Sequence, residues 1–313
     1  MTGSVRIAAI DIGSDTVHLL VANAAPGSDG PIVSCVEQRS ELIELGRLVE
    51  TTGRVGKAAA RQLEDYLTAY LKRGRRGGDR VVIGATEALR RASDGPTLLE
   101  HLSSQLGEPV HILSGAREAA LGLAGAAHRL DPTGMQLFID SGGASTEVTL
   151  TDGRRPAASA SLPVGAALLG AELSGDPPDA LSWALGGVRV GSALSVAPPG
   201  KPTRAWATGG SAHNLAGLER IKGVSGDQRL AMTELSELAA RLLAHPARKL
   251  ARRSHEDPGR VRILPPGLLI IAAILAHYGL KELTVVPEGL REGMVAAAFE
   301  NPDTWWQDSP PKG

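Results

Sequence analysis

The sequence predicts an α/β chain of two similarly built domains with a cleft between them, on three observations. Its 313 residues suit two domains at roughly 100–200 residues each. Strand and helix patterns alternate along the chain. A strand, glycine turn and returning strand also occur twice, as Ile10-Asp11-Ile12-Gly13-Ser14 and as Ile139-Asp140-Ser141-Gly142-Gly143, the echo expected of two related domains.

Taken in order, the β-branched run at 5–12, the turn Gly13-Ser14-Asp15-Thr16 and the apolar run at 17–22 read as a β-hairpin. Two short strands are expected at 32–37 and 40–45. A helix follows at 57–72, with Ala60, Leu63, Leu67 and Leu71 on one face. Strand 80–85, helix 98–106, strand 109–113 and an Ala/Gly-rich helix at 117–130 continue the alternation. The second hairpin spans 135–140 and 146–150. A strand at 204–207 then runs through Thr208-Gly209-Gly210-Ser211 into a helix, and a buried helix at 268–278 precedes a strand at 282–286. The boundary is set at 1–124 and 125–313, with the final helix able to pack back on the first domain and the tail from Asn301 loosely held.

Composition narrows the function classes. Apolar residues make up 42% and charged residues 21%, which is globular. A formal net charge of -1 argues against nucleic acid as a main partner, so any polyanion must be drawn by a local patch. Two clusters qualify, Lys72-Arg73-Gly74-Arg75-Arg76 and Arg248-Lys249 with Arg252-Arg253; solvated helix faces would look the same. Cys35, the single cysteine, lies in an apolar run and reads as a packing residue. No second histidine or cysteine stands at ligand spacing to His18, and His255-Glu256-Asp257 reads as a charged loop. The first strand starts almost at once, and the apolar run at 268–277 is too short to span a bilayer. The expectation is a cytoplasmic protein with no membrane association.

A tight glycine turn between strands points backbone N–H groups into a shared concavity, and such nests bind phosphate. One such turn is only a turn; here there are three, two of them preceded by aspartate. A carboxylate beside phosphate is tolerated when it holds a cation or accepts hydrogen bonds. Asp11 and Asp140 are therefore metal or water-network candidates, with a capped strand end as the plain alternative.

These motifs resemble, in order and over about residues 7–294, those of the Ppx/GppA family of exopolyphosphatases and guanosine-pentaphosphate phosphatases, in a short two-domain form without the helical C-terminal extension of longer members. Ile10-Asp11-Ile12-Gly13-Ser14-Asp15-Thr16 is similar to its first phosphate loop, Ala85-Thr86-Glu87-Ala88-Leu89-Arg90 to its Ala-Thr-Ser-Ala-x-Arg segment, and Ser114-Gly115-Ala116-Arg117-Glu118-Ala119 to its Ser-Gly-x-Glu-Glu-Ala segment. Residues 140–147 resemble its Asp-Ile-Gly-Gly-Gly-Ser-x-Glu loop, and Ala207-Thr208-Gly209-Gly210-Ser211 and Gly289-Leu290-Arg291-Glu292-Gly293 match the last two motifs.

The resemblance implies two actin-like ATPase (ribonuclease H-like) domains with an interdomain cleft. It implies Glu118 and Asp140 as catalytic residues, Glu118 positioning or deprotonating the attacking water. Gly13, Ser14, Asp15, Thr16, Arg90, Gly142, Gly143, Ala144, Ser145, Gly209, Gly210 and Ser211 would hold phosphate. Asp11, Asp140 and Glu147 would hold Mg²⁺ or Mn²⁺. From sequence alone Glu118 could equally be a solvated first-turn glutamate, Arg90 a helix-surface arginine and Glu147 an edge-strand side chain. The substrate implied is inorganic polyphosphate, with guanosine pentaphosphate as the alternative; only nine Phe, Trp and Tyr residues give no stacking signature for the latter. A homodimer is also implied.

Three positions depart from the pattern: Asp15 stands for the usual asparagine, Glu87 for serine and Ala144 for a third glycine. An added carboxylate repels phosphate by about 1 kcal/mol or more at roughly 4 Å, and alanine costs about 1 kcal/mol where φ must be positive. A non-catalytic polyphosphate or nucleotide sensor and a kinase of the same superfold therefore stand as rivals.

Overall fold

In a computed structural model, the structure describes residues 3–28, 30–219, 228–254 and 258–308. Elements follow in chain order. Strands β1 (Val5–Ile12), β2 (Thr16–Ala25) and β3 (Ile32–Leu42) lead to helices α1 (Leu45–Thr52) and α2 (Gly56–Gly77). Then come β4 (Arg80–Ala85), α3 (Glu87–Arg91), α4 (Gly95–Leu106), β5 (Val110–Ile112) and α5 (Gly115–Ala126). The pattern restarts with β6 (Met135–Ser141), β7 (Thr146–Asp152), β8 (Arg155–Leu162), α6 (Ala166–Glu172) and α7 (Ala180–Ala193). It continues with β9 (Arg204–Thr208), α8 (Gly209–Glu219), β10 (Gln228–Ala231), α9 (Met232–Ala244), α10 (Ala247–Ser254), α11 (Pro258–Arg262), α12 (Leu264–Tyr278), β11 (Glu282–Val285) and α13 (Leu290–Glu300).

The first sheet has the order β3-β2-β1-β4-β5 and the second β10-β11-β9-β6-β7-β8. In each, an antiparallel three-stranded meander (β1-β2-β3, β6-β7-β8) is extended by parallel strands beside its first member (β4 and β5; β9 and β11). Five strands of the second sheet, β8-β7-β6-β9-β11, thus repeat the connectivity of the first, and β10 adds an antiparallel edge. This is the two-fold α/β core of the actin-like fold, and the short echo in the sequence marks equivalent turns in it.

The contacts divide the chain into residues 1–128 with 288–313, and residues 129–287. The first break falls at 128/129 where the sequence division sets 124/125, and residues 288–313 join the first unit, α13 being the final helix that the division left able to pack back. The reason is α13: Val295, Met294 and Ala298 pack with Leu121 of α5 and with Ile7, Ala9 and Leu20 of the first sheet. The opposite sheet face, with Ala8, Ile10 and Ile12, packs on Leu63, Leu67 and Leu71 of α2 and Leu98 and Leu102 of α4. Gly74 lets α2 press onto the sheet, since a Cβ there would meet Ala8 Cβ at 2.8 Å. In the second unit Leu137, Ile139, Val148 and Leu150 pack with Ile270, Ile271 and Ile274 of α12.

Other expectations need correction. Residues 32–42 form one strand and not two, because no proline or glycine interrupts them and an edge strand tolerates polar Gln38 and Arg39; the register shifts opposite Val21 and Ala22. Cys35 is exposed on that strand, so it is not a packing residue. The described part of the tail, 301–308, is held: Trp305 is 3% exposed in the first unit's core. Strand β8 carries no strand signal of its own, because Arg155–Leu162 is rich in Ala and Ser and has no β-branched residue. His255, Glu256 and Asp257 lie outside the described residues. Among the described residues no helix is long and apolar enough to cross a membrane.

Candidate active site

Both sets of candidate residues lie at the C-terminal ends of parallel strands, where open α/β sheets bind ligands. In the first unit the turn after β1 closes by the Gly13 N–H donating to the Thr16 carbonyl, 3.0 Å. Its carbonyls are then taken by the entry to α1: Ile43 and Glu44 donate to Asp15 O at 2.8 and 3.1 Å, and Gly46 to Ser14 O at 2.7 Å. The second unit repeats the device. Gly142 donates to Ser145 O at 3.1 Å, while Ala166 and Ala167 of α6 donate to the carbonyls of Gly142 and Gly143, both at 2.9 Å. With the carbonyls tied back, the N–H groups of Ser14, Asp15, Gly143 and Ala144 have no protein acceptor among the described residues. In each unit that pair is the donor set of an anion nest.

Alternation along β1 sends Ala8, Ile10 and Ile12 to the α2 face and Ile7 and Ala9 to the α5 face, so Asp11 shares the α5 face. Buried Thr86 fastens the end of β4 to β1, its N–H and Oγ1 both donating to Ile12 O, at 3.1 and 3.2 Å. Helix α3 starts there and carries Arg90. Ser114 caps α5 by accepting from Arg117 N–H at 2.9 Å, which sets Glu118 in the helix's first turn. Glu118 is 9% exposed and is therefore not a solvated helix glutamate. Its Oε2 lies 3.5 Å from Arg90 Nη1, and Arg90 also donates to Leu113 O and to Glu87 Oε2. Arg90 is thus the cationic centre of this edge and not a surface arginine.

In the second unit Asp140 and Glu147 are directly paired across β6 and β7, hence on one sheet face. Glu147 is 4% exposed and accepts from Ser161 Oγ of β8 at 2.7 Å, so it is not an edge-strand surface residue. Gly209 has φ of +87°, and a Cβ there would sit 2.6 Å from both Asp140 Oδ1 and Ser141 O. Only glycine satisfies both constraints. The turn Gly209-Gly210-Ser211, which opens α8, is thereby brought against Asp140.

The departures resolve differently. Ala144 is buried, and among the described residues Glu44 is the one non-glycine residue with positive φ, so alanine at 144 is unstrained. The Asp15 carboxyl is pushed up to about 6, first by burial and then by the Glu44 charge. Of the basic clusters, Arg73 and Arg75 face Glu37 and Glu108 at 3.4 and 2.9 Å, which tempers the first; Arg248, Lys249 and Arg252 of the second are exposed.

Among the described residues no three His, Cys, Asp or Glu side chains form a ready metal cage. The paired carboxylates Asp140 and Glu147 nevertheless suit Mg²⁺, which takes one or two carboxylates and fills its octahedron with water and phosphate oxygens. Asp11 is the corresponding β1 residue of the first unit. Residue reading missed Thr86 and Ser161, which act on Ile12 and Glu147; a Thr or Ser beside a motif carries no signal until pairing shows what it faces.

A sequence model described as the Ppx/GppA phosphatase family matches residues 20–301. The chain is 26% identical over 308 residues, 95% of its length and 90% of the relative's, to a protein of Mycobacterium leprae named exopolyphosphatase 1. It is 31% identical over 159 residues, 50% of its length and 31% of the relative's, to a guanosine-5'-triphosphate,3'-diphosphate pyrophosphatase of Vibrio vulnificus. The Aquifex aeolicus Ppx/GppA family structure superposes with a TM-score of 0.81 at 25% identity, over 96% of this chain and 99% of that one. The twin glycine turns, the buried glutamate beside an arginine and a family match over residues 20–301 lead to one assignment: the chain belongs to the Ppx/GppA phosphatase family.

Proposed function

We propose that this chain hydrolyses inorganic polyphosphate from its end, releasing orthophosphate. The observation that carries this reading is Glu118, a buried carboxylate 3.5 Å from the guanidinium of Arg90 at the strand edge that also bears the first glycine turn. A carboxylate so placed serves as general base for a water directed at the group that the arginine holds. Water oxygen bonds to the terminal phosphorus, Glu118 takes the proton, and the bridging P–O bond breaks with its electrons leaving on the shortened chain. In the first unit Arg90 holds a phosphate oxygen and the N–H groups of Ser14 and Asp15 donate to others; in the second unit the N–H groups of Gly143 and Ala144 are the corresponding donors. Gly209, Gly210 and Ser211 add the start of α8. Asp140 and Glu147 in the second unit, and Asp11 in the first, are the carboxylates that would hold Mg²⁺, which supplies neutralisation of phosphate charge when bound.

The relative named exopolyphosphatase, aligned over 95% of this chain, supports polyphosphate as substrate. Guanosine pentaphosphate is the second reading, favoured by the higher identity of the half-length match to the Vibrio vulnificus relative. The test is orthophosphate release from long-chain polyphosphate with Mg²⁺, for wild type and Glu118→Gln. Loss of a general base is expected to lower kcat roughly 10²–10⁴-fold with KM little changed. A variant as active as the wild type would remove Glu118 from the chemistry, and no release by either would favour guanosine pentaphosphate or a binding role.

A further inference from the structure

Arg90 does not wait for phosphate with a free guanidinium. Nη1 donates to the Leu113 carbonyl and faces Glu118, while Nη2 donates to Glu87 Oε2. Glu87 is itself anchored: its Oε1 lies 4.0 Å from Arg91 Nε, and Arg91 Nη2 is 2.8 Å from Glu50. The spacing of 87 and 90 puts both on one face of α3, and Thr86 fixes the start of that helix to Ile12. The side chains of Arg90 and Glu87 are only 25% and 21% exposed, so the pair is screened less than a surface ion pair.

We propose that Glu87 is a specificity-determining residue of this site, an internal carboxylate that competes with phosphate for the Nη2 edge of Arg90. This rests on the reading of Arg90 as a phosphate-holding group. A carboxylate and a phosphate oxygen ask the same thing of a guanidinium edge, two-centre acceptance of N–H donors. The incoming phosphate must therefore displace Glu87 or share Arg90 with it. A ligand with no other grip, such as free orthophosphate, is held weakly. A chain with phosphates bound along further donors keeps its affinity. The consequence for the reaction is prompt loss of product and selection for substrates that extend beyond the terminal phosphate.

The experiment is calorimetric titration with inorganic phosphate, which needs no turnover, of the wild type, Glu87→Gln, Glu87→Ser, Arg90→Ala and the Glu87→Gln/Arg90→Ala double variant. Glu87→Gln keeps the side-chain shape, so folding is not at stake. Both Glu87 variants are expected to bind orthophosphate roughly five- to tenfold more tightly, Arg90→Ala to bind it more weakly, and the gain from Glu87→Gln to vanish once Arg90 is absent. If Arg90→Ala weakens binding but neither Glu87 variant tightens it, or if the gain persists in full without Arg90, the competition is refuted while the role of Arg90 stands. If Arg90→Ala leaves phosphate affinity unchanged, the reading of Arg90 falls and this inference with it.

Discussion

Replacing Asp15 by asparagine should make the protein more stable at neutral pH and leave it unchanged in acid. The Asp15 carboxyl is raised from 3.8 to about 6, chiefly by burial and secondarily by Glu44. The folded state therefore binds more protons here than the unfolded chain between pH about 4 and 6. Stability contributed by the protonated form is fully present below pH about 4 and is lost as pH rises through about 6. A rise of that size corresponds to at most about 3 kcal/mol, the burden that ionised Asp15 places on the fold at neutral pH. Asparagine keeps the size of the side chain and removes its charge. Urea denaturation of wild type and Asp15→Asn at pH about 4, 5, 6 and 7.5 measures this directly, with the first unit's transition compared at constant slope. The curves should coincide at the most acid point and separate progressively as Asp15 ionises. A gain equal at every pH, or a variant less stable at neutral pH, would refute the argument that a partly buried carboxyl beside the like charge of Glu44 is what the turn carries.

Three further outcomes follow from the geometry. Gly209→Ala should cost about 1 kcal/mol or more from positive φ alone, and should lower phosphate release beyond the stability loss, because its Cβ meets Asp140 Oδ1; urea curves and release rates on the same sample separate the two. Ala144→Gly should give no gain in activity and lose about 0.4–1 kcal/mol of stability, since that residue has no positive φ; a rise in kcat would contradict this. Trp305→Ala should destabilise by about 3–5 kcal/mol as a large core truncation and loosen the start of α5, because the buried ring pins the backbone whose carbonyl accepts from Arg117 Nε at 2.8 Å; calorimetric unfolding and kcat measure the two effects.

Fold class and the candidate turns were legible in the sequence because they are local. Apolar runs broken by Gly13 or by Gly142 and Gly143 specify hairpins, and a hairpin turn fixes the register that sets Asp140 opposite Glu147. The Ala/Gly-rich pattern read as a helix at 117–130 already put Glu118 in a first turn, whereas the Ser114 cap that starts the helix at Gly115 is visible only in the structure. Strand β8 was not legible, because a run of Ala and Ser becomes a strand through pairing with β7 and not through its own preference.

What the sequence by itself determined is the repeated unit: strand, glycine turn, returning strand, and the identity of the acids and the arginine beside it. Periodicity and turn chemistry act over a few residues, and those residues are adjacent in the chain. Only the tertiary structure decided which groups meet. It returned α13 and Trp305 to the first unit, buried Glu118, set Arg90 between Glu118 and Glu87, and pressed Gly209 against Asp140. Most of these contacts join residues far apart in sequence, so they depend on strand order and on which face of a sheet each helix covers. Even the i,i+3 pair of Glu87 and Arg90 gains its meaning from Glu118 and Leu113, which the parallel neighbours β4 and β5 bring beside it.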